Sequence, residues 1–111
     1  MILLTDTTHT LEIQTLANGI ITYVASFVDI TTTTFTPGSS QGNISIAGTN
    51  VLVAAPAAST QRQVKNLIIR NTTTGGMAVI VKKDVGATEY VLLSVTLAAG
   101  ETIEYNDGVG F

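Results

Sequence analysis

The chain has 111 residues, a formal net charge of −3, 12% charged residues and 5% aromatic residues. This length fits one domain, so we predict a single domain over residues 1–111. The chain is too rich in β-branched residues to be disordered, and its lack of cysteine excludes disulfides and thiolate zinc sites. Its negative charge argues against a nucleic-acid partner held by phosphate neutralisation. No apolar stretch reaches the roughly 20 residues that a bilayer requires, and no signal peptide is predicted, so no membrane partner is expected.

The composition favours β-structure. Threonine occurs 19 times, and threonine, valine and isoleucine together dominate the chain. Their branched Cβ atoms fit a pleated strand better than a helix. The charged fraction is about half of the roughly one quarter found in typical soluble domains. Two interpretations remain open: a sandwich with a hydroxyl-rich surface, or a protein that is packed against neighbours.

The first third of the sequence predicts three strands. Met1–Leu4 is apolar and is either an edge strand or a docking arm. Leu11–Leu16 alternates with period two, which is typical of a half-buried strand. Asn18-Gly19 predicts a tight hairpin turn. Ile20–Ile30 then forms a long strand with apolar residues on both faces, which indicates a central or interface position.

The middle of the sequence contains the strongest loop pattern. The hydroxyl run and the Pro/Gly/Ser segment within Thr31–Gly42 predict a long loop. Asn43–Ala47 and Val51–Ala55 predict short strands, and the second ends at Pro56 because proline cannot donate to a β-ladder. A loop of small residues is expected over Ala57–Gln63.

The last part of the sequence predicts four further strands and the turns between them. Val64–Asn71 and Met77–Lys83 are predicted to pair as a hairpin, followed after the Asp84–Ala87 turn by Glu89–Leu97 and Glu101–Tyr105. Eight or nine strands spaced about ten residues apart predict an all-β fold, an antiparallel, jelly-roll-like β-sandwich. The expected core comprises Leu11, Ile13, Tyr23, Phe27, Leu52, Leu67, Ile69, Val79, Val81, Val91, Leu93 and Val95.

The sequence contains no pattern typical of a catalytic, metal or cofactor site. The one histidine, His9, lies in a polar stretch and is expected to be an exposed loop residue. Asp84 and Glu89 flank a turn, but a calcium site needs six to eight oxygen ligands. Gly75-Gly76 lacks the lysine and spacing of a phosphate-binding loop. We therefore predict that the protein is not an enzyme and has no catalytic residues, metal or cofactor.

Most of the basic residues fall on the predicted hairpin. Lys65 and Arg70 lie on its first strand, Lys82 and Lys83 on its second, and Arg62 just precedes it. One interpretation is a solvated face whose lysines discourage strand addition. The other is a contact with an acidic partner surface. Nucleic acid is not expected, because no aromatic platform accompanies these bases.

Several segments resemble small all-β virion proteins of tailed bacteriophages. The segments are Val53–Lys65, with its Ala-Pro-Ala turn followed by Ser59, Arg62 and Val64; Leu67–Asn71; Leu97–Tyr105, with its Gly-Glu turn; Asp107-Gly108; and, upstream, Tyr23, Phe27–Asp29 and Thr34–Gly38. The resemblance covers most of residues 20–110. Members of this group often end in a tryptophan and a further strand, whereas this sequence ends at Phe111, so we expect an open sheet edge that a neighbouring subunit completes.

The resemblance implies a structural role in a virus particle. The favoured role is a capsid decoration or cement protein, on the outer capsid surface and made in the host cytoplasm, with the major capsid protein as its partner. The alternative is a small tail adaptor or tail-fibre-associated module, with tail proteins as partners. A carbohydrate-binding β-sandwich is a weaker alternative, because it needs exposed aromatic residues in a groove. A homo-oligomer is expected, and a trimer is favoured by analogy with threefold positions of icosahedral shells.

Two groups of residues are the expected partner contacts. The first is an apolar arm that adds to a neighbour as a strand, formed by Met1, Ile2, Leu3 and Leu4. The second is the basic set, whose contribution should weaken with salt, formed by Arg62, Lys65, Arg70, Lys82 and Lys83.

Overall fold

The computed structural model describes every residue from Met1 to Phe111 and contains nine β-strands and no helix. The all-β prediction is therefore confirmed. The strands are β1 (Ile2–Leu4), β2 (His9–Thr15), β3 (Ile21–Ile30), β4 (Phe35–Ile44), β5 (Gly48–Val53), β6 (Gln61–Asn71), β7 (Met77–Val85), β8 (Thr88–Leu97) and β9 (Thr102–Asn106).

The strands form two antiparallel sheets, and the predicted β-sandwich is confirmed. Sheet A has the order β1-β6-β3-β4, and β9 also pairs with β6. β1 and β9 lie end to end along one side of β6, because β1 pairs with Arg62–Val64 and β9 with Asn66–Arg70. Sheet B has the order β5-β2-β7-β8. The pair β3–β6 is nested within the pair β2–β7 in the sequence, which gives the sandwich its jelly-roll-like character.

The core lies between the two sheets and agrees with most of the predicted set. Seven predicted residues are fully buried: Leu11, Ile13, Leu52, Leu67, Ile69, Val79 and Val81. Four more pack against them while partly exposed: Tyr23, Phe27, Leu93 and Val95. The prediction for Val91 is wrong, because its side chain is 61% exposed.

A β-bulge explains the exposure of Val91. Val81 pairs with Leu93, but the next residue, Lys82, pairs with Val91, so Leu92 is an extra residue in β8. One additional residue reverses the faces of the strand on its two sides, so the side chains before Leu92 lie opposite to those that the alternation from Leu93 onwards predicts. The inward alternation of the second half of β8 therefore does not continue to Val91.

The hairpins predicted at Asn18-Gly19 and at Thr72–Gly76 are both wrong, because each of these turns connects a strand of one sheet to a strand of the other. Asn18-Gly19 connects β2 in sheet B to β3 in sheet A, and the Thr72–Gly76 segment connects β6 in sheet A to β7 in sheet B. The two turns pack against each other: a Cβ on Gly19 would lie 2.6 Å from Thr73 Cγ2 and 2.7 Å from Met77 Cε. Local turn chemistry is the same for a hairpin and for a crossover, so this choice depends on sheet packing.

The predicted loop over Thr31–Gly42 is also wrong, because most of it is strand β4. Phe27 pairs with Gly38 and Tyr23 pairs with Gly42 across the β3–β4 ladder. A Cβ on Gly38 would lie 2.7 Å from the Phe27 ring, so the ring covers the glycine closely. The aromatic residues of β3 thus supply the packing that the glycines of β4 lack.

Asn71, at the end of β6, ties the two sheets together. Its side chain is fully buried. Its amide nitrogen donates to the carbonyls of Gly75, Leu97 and Ala98 at 2.8–3.2 Å, and its amide oxygen accepts from the Thr73 backbone N–H at 3.0 Å. These bonds satisfy buried polar groups in the β6–β7 and β8–β9 connections at once.

Candidate protein interaction surface

The structure places the predicted arm in the protein's own sheet, as an edge strand. Ile2, Leu3 and Leu4 pair antiparallel with β6. Leu4 is fully buried in the core cluster, and Ile2 packs against it. Met1 is half exposed. Of the two sequence interpretations, the structure has the edge strand and not a free docking arm.

The predicted basic hairpin does not form. β6, which carries Arg62, Lys65 and Arg70, belongs to sheet A, whereas β7, which carries Lys82 and Lys83, belongs to sheet B. The five bases are therefore divided between two sheets. The reason is the crossover at Thr72–Gly76, which the sequence pattern does not distinguish from a hairpin.

Arg62 is committed to an internal ion pair. Its Nε and one terminal nitrogen donate to the two carboxylate oxygens of Asp29 at 2.7 and 2.8 Å, and the other terminal nitrogen donates to the carbonyl of Ala54 at 2.8 Å. The guanidinium also lies 4.2 Å from the ring centroid of Phe27. Hydrogen bonds from Arg62 hold the pKa of Asp29 below its usual value of 3.8.

Lys65 is paired at the point where β1 and β9 meet. Its ammonium donates to Asp107 at 3.0 Å, and the α-ammonium of Met1 lies 3.2 Å from the same carboxylate. The hydrogen bond from Lys65, followed by that from the Met1 α-ammonium, lowers the pKa of Asp107. This pair is partly exposed and holds the two end-to-end strands beside each other.

Lys82 is buried, although it belongs to the solvent-side row of sheet B. Its side chain is only 5% exposed, and it donates to Glu89 at 2.8 Å and to Gln14 at 3.2 Å. Arg70 is exposed and Lys83 is half-buried, and neither makes an ion pair. Three of the five bases are thus already neutralised within the chain.

The surface most suited to protein contact is the free edge of β8. This ten-residue strand pairs only with β7 and contains neither glycine nor proline. Its exposed apolar side chains are Tyr90 at 55%, Val91 at 61% and Leu92 at 39%. Aromatic and aliphatic groups beside unpaired backbone favour addition of another strand.

The other sheet edges are less open to strand addition. β4 contains Pro37, which has no N–H to donate, and two glycines. β5 has six residues and starts at Gly48. β1 and β9 are only three and five residues long. Short strands, proline and irregular backbone are the features by which natural sheets limit edge pairing.

The sequence interpretation did not identify Tyr90, Val91 and Leu92 as surface residues. The apolar run Val91-Leu92-Leu93 interrupts the period-two pattern of β8. That interruption is the sequence feature that could have indicated a bulge and, with it, an outward-facing apolar group.

A second feature is an open cleft of about 400 Å³ at one end of the sandwich. It is lined mainly by hydroxyl side chains from the β1–β2, β3–β4 and β5–β6 connections: Thr5, Thr31, Thr32, Ser59 and Thr60, with Ile30 and Gln61. No aromatic residue lines it, so it lacks the stacking platform that the carbohydrate-binding alternative requires.

His9 and the acidic residues do not form a metal site. His9 begins β2, where its Nδ1 accepts the Thr5 backbone N–H at 3.2 Å. No group of three or more histidine, cysteine, aspartate or glutamate side chains is positioned to hold a metal ion. None of the secondary structure is a helix of the length and apolarity needed to span a bilayer.

Comparison with known proteins identifies no relative of this chain. No protein-family model, no curated protein and no solved structure matches the chain.

Proposed function

We propose that this chain is a structural protein of a tailed bacteriophage particle that decorates the outside of the capsid and stabilises the head shell by bridging major capsid subunits. The observation that carries the proposal is the exposed apolar edge of β8 on a sandwich with few charges. Such a surface suits lasting contact with other proteins. The segments that resemble small virion proteins give the proposal its biological setting.

The proposed mechanism uses binding energy alone. A rigid sandwich that contacts several capsid subunits at once must be released before those subunits separate. Contacts linked in this way hold more tightly than any one of them does alone. The homo-oligomeric state stays a prediction, and measurement of the oligomer's mass decides between the trimer favoured by analogy with icosahedral shells and a two-fold dimer.

Deleting the gene from the phage that encodes it tests the proposal. We expect the protein in purified wild-type particles by mass spectrometry. We expect particles without it to assemble but to lose their genome more readily on heating or osmotic shock, and the wild-type gene to restore resistance when supplied in trans.

Two outcomes contradict the capsid proposal. One is absence of the protein from purified particles. The other is a deletion that leaves particles equally resistant but unable to adsorb to cells, which replaces the capsid role with the tail-adaptor alternative.

A further inference from the structure

We propose that two copies of this chain associate through their β8 strands, antiparallel about a two-fold axis, so that the two four-stranded B sheets become one continuous sheet. This inference goes beyond the proposed function and does not depend on it.

The first step is the unsatisfied edge of β8. On one side the strand pairs with β7 from Thr88 to Leu97, and on the other side it has no strand neighbour. No backbone hydrogen bond outside the ladders uses a β8 backbone group between those ends. Another extended strand can therefore continue the ladder along this side.

The second step is the charge of the edge, which favours an uncharged occupant. Glu89 is the only charged residue among the ten of β8. Its carboxylate is bonded to Lys82 at 2.8 Å within the same chain. Two β8 strands can therefore approach without like-charge contact, even though each chain carries a net charge of −3. A strongly acidic or basic partner strand finds no complementary charge here, whereas a second β8 matches this neutral edge.

The third step is the position of the apolar side chains. If the two-fold axis passes near Ser94, the middle of Val91–Leu97, then Val91 of each copy, which the bulge turns away from the core, lies over the C-terminal half of the other β8, near its exposed Thr96. Tyr90 and Leu92, which are also exposed, then flank the new ladder. Covering these groups removes apolar surface from water, which favours association.

The fourth step is closure of the assembly. The opposite edge of sheet B is β5, which has six residues against the ten of β8 and begins at Gly48. Each copy therefore offers one favourable edge in this sheet. Pairing the same edge in both copies is isologous and ends at two subunits, so it yields a dimer and not a filament.

Light scattering with matched variants tests the pairing. Wild-type protein should show twice the chain mass of 11.6 kDa at high micromolar concentration and dissociate on dilution. Val91→Lys places a charge on the edge of each copy, and we expect it to raise the dimer dissociation constant by at least about tenfold, or about 1.4 kcal/mol. Val24→Lys is the control, because Val24 is 41% exposed on a central strand of sheet A; it should leave the dissociation constant unchanged.

Cysteine cross-linking tests the geometry independently and remains decisive if Val91→Lys fails to fold. The chain has no cysteine, so an introduced thiol is unique. Ser94→Cys should form an intermolecular disulfide under mild oxidation, because residues on the axis lie within disulfide reach. Ser39→Cys, exposed on the β4 edge, should form no intermolecular disulfide under the same conditions.

Three results overturn the proposal: a monomer or a trimer at high micromolar concentration, a Val91→Lys variant that folds and dimerises as tightly as wild type, or Ser39→Cys cross-linking more readily than Ser94→Cys. None of them bears on presence of the protein in virus particles, so this proposal and the proposed function fail separately.

Discussion

Arg62 joins three parts of the molecule through one side chain. It makes a two-point ion pair with Asp29 on β3, donates to the carbonyl of Ala54 before β6, and stacks on the ring of Phe27. Planar guanidinium groups suit this combination, because they form paired hydrogen bonds to carboxylates and also lie against aromatic faces. The residue that the sequence indicated as a partner contact therefore has a structural role within the chain.

We predict that Arg62→Ala lowers the free energy of unfolding at pH 7 by about 2–3 kcal/mol, because it leaves a half-buried carboxylate without its partner. Lys65→Ala is the control, since the Lys65–Asp107 pair is about one third exposed and solvent weakens it, so this substitution should have a clearly smaller effect. Urea denaturation measures both values. Equal effects of the two substitutions contradict the assignment.

The same pair predicts a pH dependence. The pKa of Asp29 is lowered in the folded state, so its stabilisation is fully present above the unfolded value of 3.8 and is lost as the pH falls through the folded value. The stability difference between wild type and Arg62→Ala should therefore be constant from pH 7 to pH 5 and shrink below pH 3.8. A difference that does not change with acidification argues against the ion pair.

At the scale of elements, β1 is an edge strand of sheet A and not the free arm that the sequence suggested. It has three residues, but it covers β6 and places Leu4 in the core. Leu4→Ala should lower the free energy of unfolding by about 2–4 kcal/mol, because it leaves a cavity. Leu16→Ala, at a leucine that is 58% exposed, should change it by less than about 0.5 kcal/mol. Chemical denaturation measures both values. If Leu4→Ala lowers the free energy of unfolding as little as Leu16→Ala does, β1 contributes little to the stability of the core.

The strand β4 depends on its neighbour for its structure. Gly38→Ala should destabilise the sandwich by about 1–3 kcal/mol, because the new methyl group displaces the Phe27 ring. Gly75→Ala is the matched control: it has open space around it and needs no left-handed backbone, so it should be neutral or slightly stabilising. Thermal unfolding of both variants gives the comparison. A neutral Gly38→Ala means that the ring moves away without cost.

At the scale of the whole molecule, the sandwich is elongated, 46 × 26 × 21 Å, with its bases spread over both sheets and three of them paired internally. Exposed charge pairs are screened within about 10 Å at 0.1 M salt. Because three of the five bases are paired within the chain, we expect charge to contribute little to attachment of the protein to a partner. Under the proposed capsid role, we predict that particles washed in molar salt retain the protein, as measured by gel densitometry. Release by salt alone indicates that charged contacts dominate.

The sequence by itself determined the fold class and most of the core. Branched residues and period-two alternation at Leu11, Ile13, Leu67 and Ile69 depend on local geometry, which the chain carries wherever its strands are placed. The β-sandwich could therefore be predicted from the pattern alone.

Only the tertiary structure decided which strands pair and which residues reach the surface. The turns at Asn18-Gly19 and Thr72–Gly76 cross between sheets and pack on each other, and the aromatic rings of β3 cover the glycines of β4. A single bulged residue, Leu92, turns Val91 outward and creates the apolar edge of β8. Each of these outcomes depends on contacts between residues far apart in the chain, which local propensity does not encode.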